Sequence, residues 1–204
     1  AVMIKALVNI FKKNFLQTEK KQIQAIHNSG LFSPEFYHEH SQDVVTDEAL
    51  IHYFYNGCNE GRQPSFLFDS KYYVNANPDL KGMFLTPLGH FIQLGSLELR
   101  NPSPFVSMEY LVDNLRNKNI SKSENKLAYF YKNEKNEGLS AHPYFDVEFY
   151  LLTNKDLDDS VMSPYQHFLT AGVYEGRDPR PDININAYIK KYNVDVNEVH
   201  PFVH

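Results

Sequence analysis

The sequence has no tryptophan and only one cysteine, Cys58. A single thiol cannot form an internal disulfide, and a lone reduced cysteine suits a reducing compartment. The chain is therefore expected in the cytoplasm, at most peripheral to an inner membrane. No run approaches the roughly 18 apolar residues needed to span a bilayer. The start, Ala1 to Phe15, is apolar but interrupted by Lys5, Asn9, Lys12 and Lys13, and it lacks the small-residue cleavage site of a signal peptide. With no methionine at position 1, the chain reads as a piece of something longer. A basic surplus is also missing: 20 Lys and Arg stand against 25 Asp and Glu, so nucleic acid is not an expected partner. There is no Gly-rich phosphate loop, no His-Glu-x-x-His and no Gly-x-Ser-x-Gly. No catalytic, cofactor-binding or metal-binding residue is expected.

What the chain has in abundance is Tyr (14) and Phe (15), arranged in repeats. Leu50-Ile51-His52-Tyr53, Leu88-Gly89-His90-Phe91, Leu127-Ala128-Tyr129-Phe130 and Tyr165-Gln166-His167-Phe168 align, with anchors 52, 90, 129 and 167 spaced 38, 39 and 38 apart. Pro201-Phe202-Val203-His204 begins a further copy. Five residues after the anchor stands Gly57, Gly95 or Gly172, with Glu134 in the third copy. Eight after it comes Glu60, Glu98, Glu137 or Glu175. Ten after it comes Arg62, Arg100 or Arg177, with Leu139 the exception. A proline-bearing turn follows, then an aromatic block: Phe68 to Tyr73, Phe145 to Tyr150, and the weaker Phe105 to Tyr110 and Ile183 to Tyr188. Phe32 to Tyr37 reads as a lone leading half-copy.

Each unit predicts two short helices. Thr86-Pro87 and Ser163-Pro164 place a capping side chain ahead of a proline at the first helical position. Ser121 and Glu124 form a capping-box pattern in the third copy. Gly57, Gly95 and Gly172 are expected to end the helix or to start a tight turn, as glycine does just past a helix end. Asp69, Asp146 and Ser33 cap the second helices, which stop near Asn77-Pro78-Asp79 or Asn154-Lys155-Asp156. Alternating β-branched runs are few, so strands are not expected. Helices of about ten residues are unstable alone, so each unit must bury its aromatic face on its neighbours. The expected fold is all-α, a solenoid-like array of two-helix repeats of about 38 residues. Residues 29–204 form the array, cut off at the start of a further repeat. Residues 1–28, with Ile4, Leu7, Val8, Phe11, Phe15, Ile23 and Ile26 mostly three or four apart, form an amphipathic capping or linker helix. A dimer-forming or membrane-surface helix is the alternative.

The shared pattern is His-aromatic-x-x-x-Gly-x-x-Glu-Gly-Arg-x-Pro, as His52 to Pro64 and His167 to Pro179, then Phe-Asp-x-x-Tyr-Tyr and Asn-Pro-Asp, as Phe68 to Tyr73 and Asn77 to Asp79. Over residues 29 to 204 it resembles repeats found in bacterial glycosyltransferases that build cell-surface polysaccharide, including rhamnan-synthesis-type, capsule and O-antigen enzymes. The resemblance implies a region that accompanies catalytic domains without being catalytic. The third copy departs from it, with Tyr129, Glu134, Leu139 and Ala141 in place of His, Gly, Arg and Pro.

The polar residues recurring in register are His52, Glu60 and Arg62, His90, Glu98 and Arg100, and His167, Glu175 and Arg177. A histidine, a glutamate and an arginine at these offsets suggest a charge-assisted network that locks the turn between helices. One histidine per unit does not supply the four close ligands of a zinc site. His38-Glu39-His40 looks metal-like, but residues two apart on a helix point different ways. Asp156-Leu157-Asp158 resembles the Asp-x-Asp of metal-dependent sugar transfer, yet Asp156 aligns with Asp79 and belongs to the repeat. The expected partners are other domains of the parent chain or a partner protein, with a polysaccharide in an aromatic groove as the alternative.

Overall fold

The computed structural model describes residues 18–121, 124–157 and 162–204. Most of the expected N-terminal helix, residues 2–17, lies outside these, as does Asp158. The described residues are helical and contain no strand. Their only ladder pairings are two isolated bridges, Ser65 with Phe68 and Arg180 with Ile183, at tight turns. No described helix is long and apolar enough to cross a membrane.

The chain divides into two compact units, residues 1–98 and 99–204. In the first unit α1 (18–29) precedes α2 (Pro34–Glu39), α3 (Ala49–His52), α4 (Ser70–Ala76) and α5 (Pro87–His90). The second holds α6 (Met108–Asn114), α7 (Lys126–Glu137), α8 (Val147–Thr153), α9 (Pro164–His167) and α10 (Ile185–Tyr192). These helices are mostly shorter than ten residues, and tertiary burial must hold them.

Local chemistry explains where they begin. Ser33, Asp69, Ser107, Asp146 and Asn184 each accept a backbone N–H three residues on, opening α2, α4, α6, α8 and α10. Thr86 and Ser163 do the same ahead of Pro87 and Pro164. In the third copy Asn125, rather than Ser121, caps α7 through Leu127 and Ala128. The Ser107 cap also moves the aromatic block there by one residue: Val106 to Leu111, not Phe105 to Tyr110, matches Phe68 to Tyr73.

The structural module starts at the aromatic block. Ser33 N–H donates to Pro64 O at 3.0 Å, Ser107 N–H to Ala141 O at 2.9 Å and Asp146 N–H to Pro179 O at 2.9 Å. Each cap is thus tied to the proline position that follows the next helix, and Phe32 to Tyr37 opens a complete copy. Inside each regular copy three rings meet. Phe32, Tyr37 and Tyr53, Phe68, Tyr73 and Phe91, and Phe145, Tyr150 and Phe168 have centroids between 5.1 and 5.9 Å apart. Such tilted and edge contacts add about 0.5–1.5 kcal/mol per pair to the burial of the rings. In the first unit, the buried Gln22 of α1 clamps the entry to α5. Its Nε2 donates to Phe84 O at 3.0 Å and its Oε1 accepts Thr86 N–H at 3.3 Å.

The left-handed turn of the repeat lies between the glutamate and the arginine, at Gly61, Gly138 and Gly176, with φ of 74°, 63° and 73°. Gly57, Gly95 and Gly172 end helical segments as expected, but with right-handed backbone, and they serve a further purpose described below. At the matching place the second copy has Leu99, with φ of 57°. A side chain in this conformation costs about 1–2 kcal/mol, and glycine adds roughly 0.5–1 kcal/mol of chain entropy. Leu99→Gly is expected to stabilise the chain by about 0.5 kcal/mol, raising the melting temperature by about 1–2 °C. A lower melting temperature would count against this account.

Candidate functional site

The recurring polar residues form two separate devices. In the first, a tyrosine hydroxyl meets a histidine Nδ1. The pairs Tyr37 and His52, Tyr73 and His90, and Tyr150 and His167 all lie at 2.9 Å. Tyr188 and His204 repeat the pairing at 3.1 Å. Burial raises the Tyr37 hydroxyl to about 12 and raises Tyr150 as well. Both hydroxyls therefore keep their protons at neutral pH.

The glycines admit that hydroxyl. A Cβ on Gly57, Gly95 or Gly172 would stand 1.9, 1.9 and 2.0 Å from the oxygen of Tyr37, Tyr73 and Tyr150. Around each glycine the helix widens to i→i+5 bonding: Cys58 N–H to Tyr53 O (2.9 Å), Ser96 N–H to Phe91 O (2.9 Å) and Val173 N–H to Phe168 O (2.8 Å). Such single wide turns accommodate an inserted group. Here the group is a phenol lodged between the histidine and the glycine backbone.

The third copy lacks the tyrosine, having Leu111 in its place, and the departures at the glycine and histidine positions accompany it. With no hydroxyl to admit, the glycine position carries Glu134 and α7 runs as regular α-helix to Gly138. Glu134 is 1% exposed. Its Oε1 accepts Tyr165 N–H at 2.7 Å and its Oε2 accepts the Ser163 hydroxyl. Tyr129, at the histidine position, donates its hydroxyl to Glu137 at 2.6 Å.

The second device is an ion-pair clasp. Arg62 bonds Asp43 with both terminal nitrogens, at 2.6 and 2.9 Å, and Glu60 through Nε at 2.6 Å. Arg177 bonds Glu175 at 2.6 Å, Asp156 at 2.8 Å and Asn154 at 3.1 Å. The third copy moves the cation to the other turn, where Lys118 pairs with Glu137 at 2.8 Å. Hydrogen bonding to the arginines holds Asp43 and Asp156 below the ordinary carboxylate range, and Lys118 does the same for Glu137. In the second copy Glu98 is exposed and Arg100 half-buried, at the matching places. These pairs sit at the surface, where screening makes them better at fixing geometry than at adding stability. Asp43 was missed in the sequence, although it follows Phe32 at the spacing that separates Asp79 from Phe68 and Asp156 from Phe145.

The other candidates have structural partners. His38 Nδ1 lies 2.6 Å from Val44 O, and His40 Nδ1 lies 2.8 Å from Phe36 O. Asp156 belongs to the clasp. The Cys58 thiol donates to Phe54 O, and burial raises its pKa. Among the described residues no three His, Cys, Asp or Glu side chains gather as metal ligands do.

Each unit also holds an open concavity among the described residues. In the first unit a groove of about 490 Å³ is lined by Gln22, Phe54, Tyr55, Cys58, Met83 and Phe84. In the second a polar cleft of about 430 Å³ is lined by Tyr110, Lys118, Glu137, Asp146, Glu148 and Arg180. Comparisons with protein-family models, curated proteins and solved structures found no match to the chain.

The wedge predicts strong coupling between two positions. Gly172→Ala forces a methyl group onto the Tyr150 hydroxyl and is expected to cost about 3 kcal/mol. Tyr150→Phe loses the bond to His167 and is expected to cost about 1–2 kcal/mol. Denaturant unfolding of the double variant is expected to show a cost at least 1 kcal/mol below the sum, because phenylalanine removes the clash. Strict additivity would overturn the wedge.

Proposed function

We propose that this chain is a non-catalytic scaffolding arm of a larger bacterial glycosyltransferase that builds cell-surface polysaccharide, acting at the cytoplasmic side of the membrane. Its two-helix modules stack as a solenoid and offer a continuous surface to other domains of the parent chain or to a partner protein. The observation that carries this reading is how the repeated polar residues are used. Histidines go to tyrosines, arginines to aspartates and glutamates, and caps to backbone N–H groups. Transfer chemistry needs the opposite, a convergent set of groups left free to hold a diphosphate and activate an acceptor hydroxyl. The apolar side chains left outside suit docking: Phe84 is 80% exposed and Leu97 75%. The parent enzyme enters through the repeat pattern of His52 to Pro64 and His167 to Pro179.

A second reading is a carbohydrate-binding module holding the growing polymer. The polar cleft of the second unit favours it, because Asp146 and Glu148 offer acceptors for sugar hydroxyls beside Tyr110.

With nucleotide sugars and acceptor, with or without divalent metal, the isolated chain is expected to transfer no sugar. Deleting it from the parent enzyme is expected to alter assembly or product length while leaving the chemical step intact. Turnover by the isolated chain that is lost in Asp156→Asn would overturn the scaffold. In an NMR titration with polymer fragments, shifts centred on Tyr110 and Glu148 would favour the second reading.

A further inference from the structure

The third copy puts an ionisable group where the regular copies have a glycine. Glu134, near the end of α7, reaches across to the start of α9, taking the Tyr165 N–H on Oε1 and the Ser163 hydroxyl on Oε2. Ser163 is itself the cap of α9 and accepts Gln166 N–H at 3.1 Å. One buried carboxyl therefore joins the third copy to the first turn of the fourth. We propose that Glu134 is a proton-operated latch between these two modules: neutral, it holds the start of α9 firmly, and ionised, it loosens that joint.

Both protonation states can use the two partners. A neutral carboxyl keeps its carbonyl oxygen for Tyr165 N–H and shares its own proton with the Ser163 hydroxyl. An ionised carboxylate accepts from both, but it places a full charge in an apolar setting, the larger cost. The surroundings supply no described cation to offset it. On α9 the nearest titratable group is Tyr165, whose hydroxyl donates to Phe105 O and whose ionisation Glu134 opposes. On α7 itself Lys135 reaches away to Leu157 O at 3.1 Å, and Glu137 is paired with Lys118 at the surface. On α6, packed against α7, the residues buried are Met108 and Leu111. At the turn after α8, Leu157 is buried and Asp156 faces Arg177. Asp158 and Asp159, ahead of the cap, lie outside the described residues, so the test must read Glu134 directly.

Burial raises the Glu134 carboxyl from 4.5 to about 7, opposed only in part by its hydrogen bonds to Ser163 and Tyr165. The fold thus retains a proton that the unfolded chain releases. The stability this provides is complete below about 4.5, declines as pH rises and is gone above about 7. The latch is tight in acid and slack at and above neutrality, the reverse of the exposed clasp carboxylates. The inference does not depend on what the arm binds.

The test uses the whole chain, following the side-chain carboxyl of Glu134 by carbon NMR and the Tyr165 amide by hydrogen exchange from pH 5 to pH 8. The carboxyl is expected to titrate near neutrality. Protection of the Tyr165 amide, corrected for intrinsic exchange, is expected to fall by up to about tenfold per pH unit between 5 and 7. Glu134→Gln keeps the shape without the charge, and is expected to make that protection independent of pH. Glu134→Gly, the residue of the regular copies, removes the acceptor, is expected to leave the Tyr165 amide weakly protected at every pH, and serves if the glutamine variant folds poorly. A carboxyl titrating in the ordinary range, or the same pH slope in either variant, would overturn the latch.

Discussion

The architecture of this chain depends on one contact, a tyrosine hydroxyl buried against a helix backbone. A phenol oxygen inside an apolar module must find a hydrogen-bond partner, and a histidine supplies it. The oxygen can reach that histidine only if the helix passing beside it has no side chain at one position and is wound slightly wide. Tyrosine, histidine, glycine and the widened turn are consequently one device. The aromatic triad packs around it, so the ring contacts that bury each short helix rely on the hydroxyl being accommodated.

The third copy supports this account from within the same molecule. Once Leu111 stands in place of the tyrosine, the glycine is no longer required, the turn is no longer wide and the histidine position is taken by Tyr129, which turns outward to Glu137. The arginine of the clasp is likewise replaced by buried Leu139, and its charge reappears as Lys118 on the opposite turn. Taken singly these are four unrelated departures from a pattern. In three dimensions they are two compensated exchanges, one of a wedge and one of an ion pair. Glu134 stands at the glycine position that the first exchange leaves free to carry a side chain.

Clasp and wedge divide the work. The wedge and its rings are buried and supply cohesion. The arginine, its glutamate and the aspartate of the preceding turn are partly exposed and align the two ends of a module. The backbone ties from Ser33, Ser107 and Asp146 to the proline positions close it. With the recurrent polar groups committed in this way, what faces outward varies from copy to copy: Phe84 and Tyr55 beside the groove in the first unit, Tyr110 and Glu148 beside the cleft in the second.

The sequence by itself determined the helical class, the repeat period and the helix starts at Thr86, Ser163, Ser33, Asp69 and Asp146. Periodicity, caps and prolines act over a few residues, and their physics is local. It also singled out His52, Glu60, Arg62 and their equivalents, because they recur in register. Which residue met which was not legible. The histidines pair with tyrosines 15 to 17 positions earlier. Gly57 proved to mark a close approach and Gly61 the left-handed turn, since the two uses of glycine look alike in a one-dimensional pattern. The module boundary, the one-residue offset at Ser107 and the burial of Glu134 were decided by tertiary structure alone. Each depends on what stands opposite a residue in space, and spacing along the chain does not record that.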